Sequence, residues 1–322
     1  MTAYDDTGAQ TLAFHREMLD DRKRTDGYLK AILATVRPGD VVLDLGTGTG
    51  ILAYFVALAG AKRIYAVEQG PVVELARQIC EQNGFSEKVV FINDWSTDID
   101  LPEAVDVIVT ETIGNAAFDE GIVGTVADAR DRFLRGGGRI IPQKLTLEVG
   151  LVESSFDYAE VARWGDGRYT IDLSPAQELA ANTLWSTDFS PAHVLGEPSI
   201  SLTVSLIEVS SSTLAARESL AVKRDGTVHG LGCWFKGELS AGIWIDTVPP
   251  NRCKSWFHGF LPLAKPIRVE AGDQVHVELE VSENGSRWEW GVGRPGSERP
   301  EQRQSTASGA SKRIGFLPGG SS

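Results

Sequence analysis

Two acidic residues, Glu111 and Glu120, stand nine positions apart in the segment VDVIVTETIGNAAFDEGIV. Gly114 and Asn115 lie between them and allow the chain to fold back, so both carboxylates can face one pocket. Carboxylates that share a pocket are costly unless they meet a cation. A guanidinium group suits them because it is planar, permanently charged and rich in paired N–H donors. Two glutamates at this spacing are usually solvent-exposed side chains with no shared role. Their position in the fold decides whether they are such a pair or a guanidinium site.

A glycine-rich segment, VVLDLGTGTGIL, provides a second chemical signal: an apolar run ends at Asp44 and is followed by Gly46, Gly48 and Gly50. Glycine lets the backbone turn tightly and approach a ligand closely. The third glycine of a dinucleotide fingerprint is replaced here. Glu68, eighteen residues beyond Gly50, ends the next apolar run, where a carboxylate can bind ribose hydroxyls. The combination favours S-adenosylmethionine, with a nicotinamide cofactor as the alternative. Asp44 can also simply brace the loop.

Secondary-structure elements must position these residues, and the chain shows two different patterns of apolar residues. Short β-branched runs alternate with helical patterns up to about residue 150, which is typical of βαβ units and a parallel sheet. The later apolar runs are typical of strands joined by polar turns, and they predict a β-sandwich or barrel. A polar segment at 154–196 interrupts them, and an insertion of this size is usually functional or interfacial. The last residues are rich in Gly, Ser, Pro, Gln and Arg and predict a disordered tail. The predicted domains are 1–145, 146–293 and the tail 294–322.

Composition excludes several classes of protein. No run reaches the ~18 apolar residues that a membrane helix needs, and the N-terminus lacks the apolar core of a signal peptide. The net charge of −13 argues against nucleic acid as a partner. Three scattered cysteines have no metal-binding spacing and indicate reduced thiols. We therefore expect a cytoplasmic protein that needs no metal and binds neither membrane nor nucleic acid.

The sequence resembles the protein arginine methyltransferase family. The match runs through VLDLGTGTGILAYFVALAGAKRIYAVE, ETIGNAAFDE and ARDRFLRGGGRIIPQKLTLEV, and it covers most of residues 12–290. The spacing of two glutamates around Gly114 is its most specific part. The resemblance implies an α/β fold, in which N-terminal helices and a Rossmann-like class I methyltransferase domain precede a β-barrel-like domain. It also implies that 154–196 is a helical dimerisation arm and that the chain forms a homodimer.

The resemblance implies a role for each matching residue as well. Glu111 and Glu120 would be catalytic and would grip the substrate guanidinium. Met18 would lie beside the reacting centre, and Arg24 would bind the methionyl carboxylate of the cofactor. The full set of cofactor positions is Met18, Arg24, Asp44, Gly46, Gly48, Glu68, Ser96 and Thr97. The substrate positions beyond the two glutamates are Ser255, Trp256 and His258.

The sequence departs from the family in three places. The aromatic motif before the first helix has no counterpart in MTAYDDTGAQT. The Thr-His-Trp loop appears as residues 254–256, Lys-Ser-Trp, while its carboxylate partner survives as Asp21. The glutamate that contacts adenine aligns with Thr97, beside Ser96. His258 could replace the missing histidine, although a lone histidine is more often a packing residue.

The predicted activity is S-adenosylmethionine-dependent methyl transfer to an arginine guanidinium. We expect free L-arginine or another small guanidine as the substrate, because two departures touch the substrate side and no peptide-binding domain is appended. Arginine in a protein is the alternative, since the family name implies it. A cofactor-binding pseudoenzyme that acts as a scaffold is an alternative of another class, and the retention of both glutamates argues against it.

Overall fold

The computed structural model describes residues 8–165, 170–250 and 253–307. Two helices come first, α1 (Gly8–Asp20) and α2 (Arg22–Thr35). Asp21 separates them and caps α2, because its side chain accepts the backbone N–H of Arg24 at 3.2 Å. The buried Tyr28 of α2 donates its hydroxyl to the carbonyl of Thr110 at 3.0 Å. These contacts fix α2 against the sheet that follows.

A parallel sheet of five strands forms the first half of the molecule, in the order β3-β2-β1-β4-β5. All neighbouring strands pair in parallel, with one register shift between β4 and β5, and the central strands β1 and β4 are largely buried, as expected for apolar runs covered on both faces. The order changes direction between β1 and β4, and ligands of open α/β sheets bind at such a point. The elements are β1 (Val41–Leu45), α3 (Ile51–Leu58), β2 (Arg63–Val67), α4 (Val73–Gln82), β3 (Val89–Ile92), β4 (Val105–Thr110), α5 (Ile122–Phe133) and β5 (Leu134–Ile141).

Antiparallel strands form the second half, in two sheets. One has the path β7-β12-β10-β6-β8 with β11 paired to β10, and the other has the order β15-β14-β13-β9. Their buried side chains continue the core of the parallel sheet, so the predicted fold class is confirmed. The strands are β6 (Lys144–Val152), β7 (Trp185–Thr187), β8 (Ile200–Ser205), β9 (Leu214–Ala221), β10 (Gly226–Ser240), β11 (Ile243–Asp246), β12 (His258–Val269), β13 (Gln274–Ser282), β14 (Arg287–Val292) and β15 (Gln302–Ser305).

The segment predicted as an arm carries two short helices, α6 (Ser155–Ala162) and α7 (Ser174–Ala181), and returns to the sheet through β7. Ser154 caps α6, and the buried carboxylate of Asp157 accepts the hydroxyl of Thr187 at 2.7 Å. The indole of Trp185 donates to the carbonyl of Ala180 at 2.9 Å. These bonds close the base of the arm, whose role in dimerisation stays a prediction.

The prediction of a disordered tail from residue 294 is wrong for 294–307. Strand β15 pairs with β14, and the side-chain amide of Gln302 exchanges two hydrogen bonds with the backbone of Lys265, at 3.0 and 2.8 Å. The polar composition concealed this strand because an edge strand is held by backbone pairing rather than by apolar side chains. Residues 308–322 lie outside the described residues. The other domain limits stay predictions.

Three further features of the described residues concern membrane helices, metal clusters and cysteines. Within the described ranges, no helix combines the length and apolar character needed to cross a membrane. The same ranges contain no cluster of three or more His, Cys, Asp or Glu side chains that could hold a metal ion. The three cysteines, Cys80, Cys233 and Cys253, are free and buried.

Candidate active site

The glycine loop follows β1 at the carboxyl edge of the parallel sheet. Gly46 and Gly48 have φ values of +71° and +54°, a region that L side chains rarely adopt. A Cβ on Gly46 would lie 2.8 Å from the side chain of Thr112, and one on Gly48 would lie 3.1 Å from the ring of His15. The loop is therefore enclosed between α1 and the segment after β4, and only glycine fits.

Two carboxylates hold this loop in different ways. Glu68, half-buried after β2, accepts the backbone N–H of Gly48 at 3.1 Å and that of Gly70 at 2.8 Å. Asp44 is fully buried and accepts the hydroxyl of Thr47 at 2.6 Å. Burial raises the pKa of Asp44 to about 7, although the Thr47 hydrogen bond opposes the rise. Asp44 thus braces the loop from beneath, whereas Glu68 lies at its rim.

The glutamate hairpin follows β4 at the same edge. Glu111 comes directly after the strand, and Glu120 comes just before α5. Between them, Gly114 and Ala117 form an antiparallel bridge, and Ala117 has a φ of +63°. The chain therefore turns back on itself between the two glutamates, as their spacing predicts.

Arg24 of α2 is the cation at this hairpin. Its guanidinium forms a salt bridge with Glu111 and lies 5.2 Å from the ring centre of Trp256. Burial lowers the pKa of Arg24, and the negative charges of Asp21 and Glu120 oppose that shift. Arg24 therefore interacts with both glutamates, and its charge also acts on His15, which lies against Gly48.

The two glutamates occupy different environments. The side chain of Glu111 is only 9% exposed and is paired with Arg24. Glu120 is more exposed to water than Glu111. Desolvation by nearby protein and the charge of Asp119 raise the pKa of Glu120 to about 7, while Arg24 opposes the shift and exposure to water limits it. Glutamates with such different surroundings can take different roles.

The loop before β12 binds α2 through Ser255. The backbone N–H and the hydroxyl of Ser255 both donate to one carboxylate oxygen of Asp21, at 2.8 and 3.0 Å. The other oxygen of Asp21 caps α2 at Arg24. Ser255 therefore takes the place on Asp21 that the resemblance gives to a histidine.

Two neighbours of Ser255 tie the same loop to the glutamate hairpin. The indole N–H of the buried Trp256 donates to the carbonyl of Ile113 at 2.8 Å. The backbone N–H of Phe257 donates to the side-chain oxygen of Asn115 at 2.9 Å. Ser255 and Trp256 thus lie beside α2 and the glutamate hairpin, where the polar groups described here bind protein. Their roles in substrate binding stay predictions.

His258 is not at the site, and the prediction that it lies on the substrate side is wrong. It begins β12 with its side chain fully buried. Its Nδ1 accepts the backbone N–H of Phe189 at 2.8 Å, which leaves Nε2–H to donate to the carbonyl of Thr247 at 2.6 Å. Both ring nitrogens are engaged by backbone away from solvent, so this ring cannot take a proton from a substrate. It is a packing residue because strand pairing turns it into the core.

The remaining cofactor positions surround the loop less directly. Met18 is half-buried on α1, and its carbonyl accepts the hydroxyl of Thr25 at 3.3 Å. Ser96 and Thr97 follow β3, and their carbonyls accept hydrogen bonds from Arg132 at 3.1 and 3.2 Å. The roles of these three residues in cofactor binding stay predictions.

The sequence analysis missed His15. This half-buried residue lies against Gly48, and burial together with the charge of Arg24 lowers its pKa. The available signal was its spacing from Met18, because residues three apart share one face of a helix. His15 therefore joins the candidate cofactor positions.

Known proteins are similar to this chain in sequence and fold. Residues 155–313 match the PRMT5 oligomerisation domain, and residues 21–140 match the ribosomal protein L11 methyltransferase (PrmA). The chain is 31% identical over 295 residues to protein arginine N-methyltransferase 2 of Xenopus tropicalis, which covers 87% of this chain and 68% of that protein. It is 30% identical over 276 residues to protein arginine N-methyltransferase 1 of Dictyostelium discoideum, covering 83% and 81%.

The chain belongs to the protein arginine N-methyltransferase family. A solved structure of the Trypanosoma brucei PRMT1 enzyme-prozyme heterotetrameric complex with AdoHcy agrees, with a TM-score of 0.80 at 26% identity over 90% of this chain and 97% of that one. The predictions of family, arginine N-methyltransferase activity and S-adenosylmethionine as cofactor are confirmed. The residues present also fit this cofactor, because the half-buried carboxylate of Glu68 lies beside the glycine loop at the carboxyl edge of the sheet, where it can accept ribose hydroxyls.

Proposed function

We propose that this enzyme methylates arginine residues of proteins or peptides, at a guanidinium held between Glu111 and Glu120. The observation that carries the proposal is the hairpin itself. It brings two carboxylates in different environments to the sheet edge beside the glycine loop, and one of them already engages a guanidinium, that of Arg24. Paired N–H donors of a substrate arginine match such oxygens.

The cofactor side follows from the same edge. S-adenosylmethionine, when bound, supplies a methyl group on a sulfonium. Glu68 would hold the ribose, Gly46 and Gly48 would leave room for the backbone to approach, and Arg24 would bind the methionyl carboxylate. Met18 and His15 would cover the site from α1. Ser96 and Thr97 stand at the carboxyl end of β3, where we place the adenine.

The two glutamates would have different roles, one in orienting the guanidinium and the other in accepting its proton. Glu111 is paired with Arg24, so it would orient the substrate guanidinium and draw positive charge away from the reacting nitrogen. A proton must leave that nitrogen as its new bond to carbon forms. Because His258 is enclosed in the core, Glu120 is the best-placed acceptor, and a pKa of about 7 suits a base near neutral pH.

Protein arginine is preferred to free arginine for two reasons. The relatives carry the name protein arginine N-methyltransferase. The altered loop, which favoured a small molecule, keeps its bond to Asp21 through Ser255 and so no longer argues for a different substrate. The other departure, before the first helix, falls mainly on residues outside the described ranges.

Mass spectrometry of reactions with S-adenosylmethionine tests the proposal. We expect an arginine-glycine-rich peptide to gain about 14 mass units per methyl group transferred to nitrogen, and free L-arginine to remain unmodified. Methylation of free arginine alone would restore the small-molecule hypothesis. Cofactor binding without turnover on either substrate would favour the pseudoenzyme alternative.

A homodimer is the proposed assembly. The arm exposes three large apolar side chains, Phe156, Trp164 and Ile171, and the match to the PRMT5 oligomerisation domain includes all three. A second copy of the chain would cover them. Light scattering should give twice the chain mass, and Trp164→Asp should reduce it towards one chain mass. Trp244→Asp, at an exposed position on β11, is the matched control and should leave the dimer intact.

A further inference from the structure

A third acid, Asp119, lies inside the turn of the glutamate hairpin. Its Oδ1 accepts the backbone N–H of Ala116 at 2.8 Å. A Cβ on Gly114 would overlap the carboxyl group of Asp119, so the carboxylate lies directly against the Gly114 backbone. Asp119 therefore fills the turn, and the glycine at 114 is required because this carboxylate is there.

Internal backbone hydrogen bonds and a neighbouring strand also hold the turn in place. The backbone N–H of Phe118 donates to the carbonyl of Ala116 at 2.7 Å, and that of Gly121 donates to the carbonyl of Phe118 at 3.0 Å. Gly259 of β12 packs against Ala116 so closely that an added Cβ would lie 3.0 Å away. Asp119 is consequently held in one place, next to Glu120 in the chain.

Several elements present titratable or charged groups to this turn. Arg24 from α2 is the cation, and Glu111 at the end of β4 is paired with it. Cys233 of β10 faces Asp119, and burial together with that carboxylate raises the pKa of the thiol, which keeps it neutral. Asn284, which contacts Gly121 from the segment before β14, carries no charge.

We propose that Asp119 is a positioning residue for methyl transfer, because its carboxyl group closes the hairpin turn and its negative charge acts on the neighbouring Glu120. Burial raises the pKa of Asp119, and backbone N–H groups at Ala116 and Asn115 oppose that rise by stabilising the charged form. The inference rests on the proposed function, which makes Glu120 the proton acceptor. In the transfer, a nitrogen lone pair of the guanidinium forms the bond to the methyl carbon. The carbon–sulfur electron pair stays on sulfur, and the N–H proton passes to Glu120. A negative neighbour stabilises the protonated Glu120.

The charge of Asp119 can be removed without removing its hydrogen bond. Asp119→Asn keeps an oxygen that can accept the Ala116 N–H. Loss of the negative charge lowers the pKa of Glu120, so Glu120 becomes deprotonated at lower pH. We expect the acid limb of the kcat/KM profile on the arginine peptide to move to lower pH by roughly half to one unit. Asp131→Asn, an exposed acid paired with Arg130 on α5, is the matched control and should leave the limb in place.

A second measurement needs no turnover. The carbon-13 signal of the Glu120 carboxyl, assigned by its loss in Glu120→Gln, should titrate at a lower pH in Asp119→Asn than in the wild type. Asp119→Ser also lacks the charge and should show the same shift. It replaces the asparagine variant in this measurement if that variant folds poorly. An unchanged Glu120 titration in either folded variant overturns the inference alone. A wild type that methylates no arginine would instead contradict the proposed function.

Discussion

The glycine loop and the glutamate hairpin lie at the same edge of one sheet, yet they are held by different kinds of contact. The loop is bound by near neighbours, such as Thr47 on Asp44 and Glu68 on Gly48. The hairpin is bound by distant parts of the chain. Trp256 reaches Ile113 across 143 positions, and Arg24 comes from a helix that precedes the sheet.

This difference indicates that the cofactor end and the substrate end of the site depend on different parts of the chain. The cofactor end is a local structure whose geometry follows from strands β1 and β2 and the residues after them. The substrate end is held by contacts from the antiparallel half, through Ser255 to Asp21 and through Trp256 to Ile113 of the hairpin. Changes in the loop before β12 at residues 253–257, here called the barrel loop, should therefore affect turnover more than cofactor binding. Changes in the glycine loop should do the reverse.

The largest effect is expected at the hairpin. Glu111→Gln removes the carboxylate that would orient the guanidinium, and loss of one such preorganised contact lowers turnover by about a hundredfold to a thousandfold. Cofactor affinity, measured by calorimetry, should change much less. Glu289→Gln, on β14 and paired with Arg287, serves as the control. Full activity of Glu111→Gln would remove the hairpin from the mechanism.

The reverse pattern is expected at the loop. Gly48→Ala forces a residue with a side chain into a φ of +54° and places its Cβ 3.1 Å from His15. The backbone cost alone is about 1–2 kcal/mol. The free loop can relieve this strain by leaving the conformation that binds the cofactor, so cofactor affinity should fall about tenfold, while turnover at saturating cofactor falls less. Gly84→Ala has a similar φ of +76° with nothing within 4 Å of the added Cβ. If both variants bind the cofactor equally well, close packing of the loop is not what the glycine provides.

A smaller effect is expected in the barrel loop. Ser255→Ala removes the hydroxyl bond to Asp21 and keeps the backbone bond, so about 1 kcal/mol is lost, or roughly fivefold in kcat/KM. Ser255→Thr retains the hydroxyl and should stay near the wild-type value. Equal losses in both variants would show that the size of the side chain matters, rather than the bond to Asp21.

The same contrast explains what the sequence could predict. The glycine loop, Glu68 and the paired glutamates come from local patterns, because parallel strands place successive loops at one edge. The bond between Ser255 and Asp21 spans 234 positions, so no local pattern contains it. The burial of His258 depends on its pairing with Thr187 of β7. The spacing between His258 and Trp256 in the sequence does not indicate which face of β12 the His258 side chain occupies. Strand β15 was missed because composition does not reveal backbone pairing.

The smallest effect on catalysis is expected at His258, although its effect on stability is not small. His258→Gln disturbs two buried hydrogen bonds, to Phe189 and Thr247, so the free energy of unfolding should fall by about 1–3 kcal/mol. The folded fraction should keep its turnover and the position of its acid limb, since no proton passes through this ring. Denaturant melts and kcat/KM profiles together separate the two effects. A displaced acid limb in folded His258→Gln would mean that the core histidine is coupled to Glu120, and that the barrel influences the chemistry by more than docking.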